Sequence, residues 1–557
     1  MSLFKNNQTN TFSSFQIFIL SVIVSLILLF VYCKNSLIYE MNDFCDQNNF
    51  FAITDAMFHG RVLYTDIFEH KGPFLFFVYS LIHILGNSYF TLYLFEVIAN
   101  ALFVYFGTKI ILLYDNEATR ARIFLYVLCL EFCLCTAASF MFGGNVEELY
   151  LWMSSYGLYV TLRCLKSGNY YPRKELMVMG LLCGALFWTK YSLLGFYSGL
   201  ALYIIGWNIA QKNLARLGKT ILLFLGGFAI ASLPVVIYCA LTQSFSDMVH
   251  IYFVENIFGE HMTMEFKGRQ HLLSILFYKD VTSILFILLG VVFVLKKEQK
   301  DIKFLVISTI ITTLLATCCL KVIFFYYPMP MLAFIPLGII ALREFKIRYS
   351  VIAVSAAVIM TLQLMGLVMY GGYVVYLEDR INPYMIKEYF RVIVKSAIPL
   401  ILLWIAYTNK PLLNSKRKGI VLCTSLLAIC TLAGISLRDP LYYIDQELPQ
   451  LRFKKAITQV KDASILVYGI TDMGFNKQGE TYPQVKYFCN LNLSEDETIA
   501  VQNDYIKNEV VDFIITPLDI NDMLAGTSYQ LIDTSERYVY LGHRYYFALY
   551  KKMSKTP

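Results

Sequence analysis

Acidic and basic side chains are concentrated in residues 42–73, between two long apolar stretches of the sequence. The segment contains the carboxylates of Asp43 and Asp46 and ends with the basic side chains of His70 and Lys71. Ionisable groups beside a membrane span are costly and commonly functional. A carboxylate can take a proton from a reacting hydroxyl group, and Lys or His can bind an anion. The segment therefore predicts a site for a charged group, most simply a phosphate, at a membrane surface.

The composition indicates a membrane protein. Of the 557 residues, 57% are hydrophobic and 16% are charged, whereas soluble proteins have about 25% charged residues. Apolar runs of about 20 residues, enough to cross about 30 Å of hydrocarbon, recur from Phe15 to Leu437 and then stop. The net charge of +7 comes from Lys and Arg in short loops between these runs. It therefore does not indicate nucleic acid binding.

About thirteen membrane spans are predicted. They lie near 15–33, 89–114, 120–140, 147–165, 176–189, 192–209, 220–241, 281–295, 303–319, 322–341, 350–370, 396–408 and 419–436. With the N-terminus inside, the short loops rich in Lys and Arg also fall inside, as the positive-inside rule requires. The long loop 34–88 and the tail from Arg438 then lie outside the cytoplasm. We therefore expect a transmembrane domain of residues 1–437 in the plasma or inner membrane and an extracytoplasmic domain of residues 438–557.

The tail has the composition of a small soluble α/β domain. Residues 465–470 and 510–517 predict buried strands, and residues 538–552 predict a hairpin or paired strands. Ser494 and Glu497 have the spacing of a capping box, which predicts a helix after them. The tail contains no phosphate-binding loop and no nucleophile motif. We expect it to cap or position other parts, and substrate contact stays open.

Two helices are predicted within the external loop. Apolar residues recur at helical spacing from Phe50 to Phe58, which predicts a helix lying along the bilayer interface and ending at Gly60. Pro73 suits the first turn of a second helix. Carboxylates that cap helices and a Lys that extends to the interface would also explain the charges of this loop. A purely structural interpretation of the loop therefore stays open.

The order of these residues resembles the GT-C fold glycosyltransferases. The shared pattern is an Asp, an aromatic residue, a Gly and an acidic-x-Lys-x-Pro segment, here Asp46, Phe50, Gly60 and Glu69-His70-Lys71-Gly72-Pro73. The pattern is most similar to that of bacterial enzymes related to protein O-mannosyltransferases and aminoarabinose (lipid A) transferases. The resemblance covers the whole layout, including the external C-terminal domain. Segments 143–148, 188–190 and 321–328 agree with it, but Gln47 stands where many relatives have a second acid.

The resemblance implies transfer of a sugar from a polyprenyl-phosphate donor to a hydroxyl group at the outer face of the membrane. The acceptor would be a glycan, a lipid or a protein, and the transfer would be one displacement with inversion. Asp46 would act as general base, with Asp43 as the alternative. Lys71 would bind the phosphate of the donor. Further candidates for the phosphate are His70, Lys321, Tyr326 and Arg269. These groups would need no divalent metal and no cofactor, and the missing acid at position 47 agrees with a metal-free site.

The other polar residues near predicted span ends allow two interpretations each. Glu147 and Glu148 can contact sugar hydroxyls or can cap a helix. Lys190 can reach a phosphate or can extend to the interface. Tyr327 belongs to the third segment of the resemblance and is a further substrate-binding candidate. The histidines of loop 242–280 lack the spacing of metal ligands.

A polytopic transporter or flippase of lipid-linked sugars is the main alternative function. A transporter would place ionisable residues near the middle of its spans, often in two repeated halves. In this sequence they cluster at the outer ends of spans and in outer loops, and no internal repeat is visible. A noncatalytic subunit that binds glycan or lipid, and an enzyme that moves whole glycan chains, are further alternatives. The sequence leaves the sugar and the acceptor open.

Overall fold

The protein has a helical part up to Leu437 and a smaller mixed part from Pro449. The computed structural model describes residues 12–259, 281–318, 326–345, 383–409, 415–437, 447–491, 493–540 and 543–553, with a few single residues between these ranges. The predicted span 350–370 lies almost entirely outside the described residues. Arg269 and Lys321 also lie outside them.

The helical part contains long helices joined by short turns. In chain order its helices are α1 (Ser14–Tyr32), α2 (Cys45–Phe58), α3 (Pro73–Ile84), α4 (Tyr89–Leu112), α5 (Arg120–Thr136), α6 (Val146–Ser167), α7 (Arg173–Phe187), α8 (Gly195–Ala210), α9 (Leu214–Thr242), α10 (Phe245–Val249), α11 (Asn256–Phe258), α12 (Val281–Lys297), α13 (Lys300–Cys318), α14 (Ile335–Glu344), α15 (Pro383–Thr408) and α16 (Lys416–Leu437). Tight helical turns occur at Ala138–Phe140, Tyr191–Leu194 and Met329–Phe334, and a π-helical turn occurs at His250–Glu255.

Apart from 350–370, each predicted span overlaps one of these helices. Within the described residues, five helices are long and apolar enough to cross a bilayer, namely Ser14–Tyr32, Tyr89–Leu112, Tyr191–Ala210, Leu214–Thr242 and Arg417–Ile435. The protein is therefore a helical multi-pass membrane protein. The number of about thirteen crossings stays a prediction, because several helices are shorter than a bilayer requires.

Small residues bring the long helices close together. A side chain at Gly180 of α7 would lie 1.9 Å from the carbonyl oxygen of Phe224, and one at Gly227 of α9 would lie 1.9 Å from that of Met177. Only glycine allows these two backbones to touch at both positions. Such close packing is the usual way in which helices associate within a bilayer.

The two predicted loop helices are present. Helix α2 ends where His59 caps it and Gly60 adopts a φ of +85°, and α3 begins with Pro73 in its first turn. The position of α2 relative to the bilayer stays a prediction, but the helix is more buried than its narrow apolar face predicts. Its residues from Gln47 to Thr54 are buried on all sides, because the C-terminal part of the chain covers the surface that would otherwise face outward.

The C-terminal part contains a four-stranded sheet. Its strands are β1 (Ile465–Val467), β2 (Phe513–Thr516), β3 (Tyr529–Tyr540) and β4 (His543–Lys552), in the order β1-β2-β4-β3. Strand β1 is parallel to β2, and the other neighbours are antiparallel. Helices α17 (Pro449–Ile457), α18 (Phe475–Gln478), α19 (Glu495–Lys507) and α20 (Asn521–Leu524) accompany the sheet. The strands predicted at 465–470 and 510–517 and the predicted helix are present, whereas the paired strands predicted over 538–552 begin earlier, at Tyr529.

The capping box at the start of α19 does not form. Ser494 has a φ of +51°, and its side chain makes no hydrogen bond to the helix. Its hydroxyl group donates instead to Glu255 at 3.0 Å. A contact between distant parts of the chain has replaced the local one that the sequence predicts.

The C-terminal part packs against the external loop 34–88. The amide of Phe68 donates to the carbonyl oxygen of Lys486 at 3.0 Å, and the rings of His59 and Tyr482 stack at 4.0 Å. The ammonium group of Lys477 donates to the carbonyl oxygen of Asn87 at 2.5 Å. These contacts agree with the expected capping role. The side of the membrane on which this part lies stays a prediction.

Candidate active site

Asp46 lies in the first turn of α2 and is half-buried. The hydroxyl group of Tyr326 donates to its Oδ2 at 2.9 Å, and the Tyr326 ring meets the ring of Phe44 edge-on at 5.8 Å. A carboxylate is favoured near the positive end of a helix dipole. Asp46 is therefore an oriented, partly accessible carboxylate, which is what a general base requires.

Asp43 lies just before α2 and is almost fully buried. Its Oδ1 pairs with the ammonium group of Lys34 at 3.0 Å, and its Oδ2 accepts from the hydroxyl group of Tyr538 at 2.8 Å. Lys34 itself lies 3.7 Å above the ring of Phe142. Both oxygens of Asp43 are thus occupied by structural contacts, and this favours Asp46 over Asp43 as the base.

Glu69 shapes the turn that carries His70 and Lys71. The Glu69 carboxylate is buried and accepts from the backbone amides of His70 at 2.8 Å and Lys71 at 3.0 Å. The hydroxyl group of Tyr64 donates to the carbonyl oxygen of Lys71 at 2.7 Å, and Asn256 donates to that of His70 at 2.7 Å. Burial raises the pKa of Glu69, although the charge of Lys71 opposes this shift. The backbone of the turn is therefore fixed by hydrogen bonds to three side chains, those of Glu69, Tyr64 and Asn256.

The side chains of His70 and Lys71 contact each other. The distance from Lys71 Nζ to His70 Nε2 is 2.8 Å. Because an ammonium group can only donate, Nε2 must accept, and the ring proton then lies on Nδ1. Nδ1 is 3.4 Å from the Glu69 carboxylate. Lys71 is only 7% exposed, so this turn of the external loop presents a partly desolvated cation.

Glu147, Lys190, Tyr326 and Tyr327 form one cluster. The ammonium group of Lys190 pairs with Glu147 Oε1 at 2.5 Å and lies 3.8 Å from the centre of the Tyr327 ring and 5.2 Å from that of Tyr326. Lys71, Glu147 and Asp46 are all electrostatic neighbours of Tyr327. Residues predicted from four separate segments of the sequence therefore meet in one place.

Glu148 points away from this cluster into the helical part. It is fully buried on α6, and its Oε1 accepts from the Asn100 side chain of α4 at 3.1 Å. Neighbouring residues of a helix point to different sides, so Glu147 and Glu148 cannot share one role. Its predicted contact with substrate stays untested.

Gln47 belongs to a network of amides that supports α2. Its side chain exchanges two hydrogen bonds with that of Asn35, both at 3.0 Å. Asn35 also donates to the buried carboxylate of Glu96 at 3.1 Å, which accepts from the backbone amide of Gly144 as well. A carboxylate at position 47 could not donate to Asn35 and would lie near a second buried acid. This explains physically why an amide stands here.

Glu69, Asn35 and Glu96 were not among the predicted site residues. Glu69 appeared only as the acidic position of a motif. Glu96 had a signal of its own, because it is a charged residue within a long apolar run. Asn35 had none, since its partners lie 12 and 61 residues away along the chain. Among the described residues, no group of His, Cys, Asp and Glu has the arrangement of a metal site, and a metal-free reaction stays a prediction.

The fold defined by these helices and by the C-terminal sheet is that of the GT-C class, as the sequence resemblance predicts. The structure is similar to the crystal structure of ArnT from Cupriavidus metallidurans bound to undecaprenyl phosphate, with a TM-score of 0.62, 10% identity, and coverage of 96% of this chain and 98% of that one. The apo structure of the same ArnT gives a TM-score of 0.59, 11% identity and coverage of 96% and 97%. The sequence matches no protein-family model and no curated protein. At this identity the similarity shows the shared fold alone.

Proposed function

We propose that this protein is a membrane glycosyltransferase that moves a sugar from a polyprenyl-phosphate donor to a hydroxyl group of a surface glycan, lipid or protein. The observation that carries the proposal is the position of Asp46. It is oriented by Tyr326 at 2.9 Å, and both Asp46 and the cation of Lys71 act electrostatically on the neighbouring Tyr327. The GT-C fold and a structural neighbour that binds undecaprenyl phosphate support it.

Asp46 acts as the base in a single displacement. The oxygen of the acceptor hydroxyl attacks the anomeric carbon and forms the new glycosidic bond, while its proton moves to the Asp46 carboxylate. The bond between the anomeric carbon and the phosphate oxygen breaks, and polyprenyl phosphate leaves with the electron pair. The anomeric configuration is inverted. A base of ordinary strength is sufficient, because proton loss accompanies the departure of a good leaving group.

Lys71 stabilises the negative charge that develops on the leaving phosphate. A buried ammonium group aimed at a developing charge is more effective than one in water. His70 keeps Lys71 in place through its Nε2 atom, and Glu69 holds the backbone of both residues. Lys190 is already paired with Glu147, so it serves the sugar side of the site. We place both the external loop and the C-terminal part on the extracytoplasmic side.

A transporter of lipid-linked sugars is the second candidate, and Glu131 is the observation in its favour. Glu131 lies near the middle of the predicted span 120–140 and is fully buried, where a transporter would keep an ionisable group. However, its two oxygens accept from Ser25 at 2.8 Å and Cys135 at 3.5 Å. Because both of its oxygens accept hydrogen bonds, Glu131 is better explained by a role in helix packing than by a role in a path for ions.

The test is a deletion strain complemented with variants, with the surface glycans analysed by mass spectrometry. Asp46→Asn should fail to restore the missing sugar, because loss of a general base costs about 10²–10⁴-fold in rate. The purified variant should still bind undecaprenyl phosphate. Glu40→Gln, an exposed change in the same loop, is the control and should restore the sugar. Restoration by Asp46→Asn would contradict the proposal.

A further inference from the structure

Within the part of the chain that the structure describes, one of the two oxygens of Glu147 has a partner and the other has none. Oε1 pairs with Lys190 at 2.5 Å, whereas Oε2 is buried and has no hydrogen-bond partner among the described residues. A buried carboxylate oxygen without a donor is costly. We therefore expect space near Oε2 in which a hydrogen-bond donor of a ligand can bind.

Glu147 lines a small cavity. Its walls are formed by Glu147, Ser192, Leu193, Ala316, Thr317, Tyr327 and Pro330. The cavity has room for about one hydroxyl group or one water molecule. The Thr317 hydroxyl donates to the carbonyl oxygen of Thr313 at 3.0 Å, so its lone pairs remain able to accept. We call this cavity the Glu147 niche.

The Glu147 niche lies within reach of the reacting carbon of a bound sugar. Tyr327 lines the niche, and its neighbour Tyr326 binds the proposed base Asp46. The ammonium group of Lys190, which pairs with Glu147, lies 5.2 Å from the centre of the Tyr326 ring. A sugar whose anomeric carbon lies at Asp46 can therefore place one substituent in the niche.

The charges of the niche decide which substituent fits. Lys190 already neutralises Glu147. A charged substituent would place a third charge beside a pair that is already neutral, and burying a charge without a partner of its own costs more than burying a neutral group. A neutral hydroxyl group can donate to the free Oε2 and can also accept a hydrogen bond from Ser192. The pair therefore selects by charge.

We infer that the Glu147 niche receives a hydroxyl group of an uncharged donor sugar and that the Glu147–Lys190 pair selects such a sugar over an amino sugar. This inference rests on the proposed function and adds the class of sugar to it. Glu147 is a specificity residue that contacts the sugar, and Lys190 acts through Glu147. The proposed function itself would hold for either class of sugar.

Binding measurements with the purified full-length protein in nanodiscs test the inference. The probes are undecaprenyl phosphate, undecaprenyl phosphate glucose and undecaprenyl phosphate 4-amino-4-deoxyarabinose. Wild type should bind the glucose lipid about tenfold more tightly than the sugar-free lipid, the gain expected for one hydrogen bond to a charged group. It should bind the amino sugar lipid no more tightly than the sugar-free one.

Two variants separate the roles of the pair. Glu147→Gln should lose most of the glucose-dependent gain and keep the affinity for the sugar-free lipid. Lys190→Met leaves Glu147 without its cation and should move the preference toward the amino sugar lipid. Arg163→Met is the matched control. It removes an ion pair of 2.9 Å between Arg163 of α6 and Glu175 of α7, and Arg163 lies near the opposite end of α6 from Glu147. It should change neither preference.

The outcomes are distinguishable. Equal affinity of wild type for the glucose lipid and the amino sugar lipid would overturn the inference, as would a Lys190→Met variant with an unchanged preference. Binding of no lipid at all, including undecaprenyl phosphate, would instead count against the proposed function. A loss of all binding in Glu147→Gln alone would assign Glu147 to the structure of the site and would also overturn the inference.

Discussion

Lys71 and Asp46 divide the proposed chemistry between two side chains that lie 25 positions apart in the sequence. Lys71→Met should weaken binding of sugar-free undecaprenyl phosphate by about 1.5–3 kcal/mol, since it removes a charge-assisted contact. Lys71→Arg should keep part of the affinity, because its charge remains while its shape changes. Titration of the purified proteins measures both effects. Lys507→Met, a change at an exposed position, should leave the affinity unchanged, and an unaffected Lys71→Met would refute the phosphate role.

Glu69 makes stability depend on pH. Burial raises its pKa in the folded protein above the value of about 4.3 in an unfolded chain. The folded state therefore loses stability as the pH rises through the folded pKa, because the charged form is buried. Glu69→Gln cannot ionise, so its stability relative to wild type should improve between about pH 4 and the folded pKa. Thermal unfolding in detergent at several pH values measures this trend, and the opposite trend would contradict it.

Helix α2 was predicted as a helix because its apolar residues recur at helical spacing, and this prediction is confirmed. Its surroundings could not be predicted. Whether a polar residue such as Asn48 faces lipid, water or protein depends on what packs on it, and Tyr89 and the C-terminal part supply that contact. Local sequence determines the element, and distant residues determine its environment.

The contact between Tyr538 of strand β3 and Asp43 should link the C-terminal sheet to α2. Tyr538→Phe and Asp43→Asn should each lower the free energy of unfolding, and the double variant should cost less than their sum. The coupling should be about 0.5–3 kcal/mol, as for residues that share a hydrogen bond. Denaturation in detergent measures it. Tyr546→Phe, on the neighbouring strand with a side chain 57% exposed, is the control, and strict additivity would show that the contact contributes nothing.

At the scale of the whole molecule, the packing requires the external loop and the C-terminal part to lie on one side of the membrane. Glu40→Cys in the loop and Asp504→Cys in α19 change exposed positions and should both react with an impermeant maleimide added to intact cells. Lys212→Cys, exposed between α8 and α9, should react only after permeabilisation. Labelling of only one of the first two residues from outside would contradict the arrangement. Asn48 is unsuitable for such a test, because it is fully buried.

Hydropathy predicted the positions of most helices but not the contacts between them. One boundary also differs, because the predicted span 322–341 contains the tight turn Met329–Phe334 before α14 begins at Ile335. Prolines in this region interrupt the regular hydrogen bonding of a helix. The contact between Asp46 and Tyr326 joins residues 280 positions apart. No local pattern predicts such a contact, and only the resemblance to known enzymes brought both residues into one site.

The contact between Asp43 and Tyr538 also has a consequence for the synthesis of the protein. Its two residues are separated by 495 positions, which a ribosome covers in about 25–100 s at 5–20 residues per second. During this interval the loop has already been made, but the strand that covers it has not. The contacts with which strand β3 covers the loop can therefore form only after Tyr538 has been made, and a chain that stops before it lacks them.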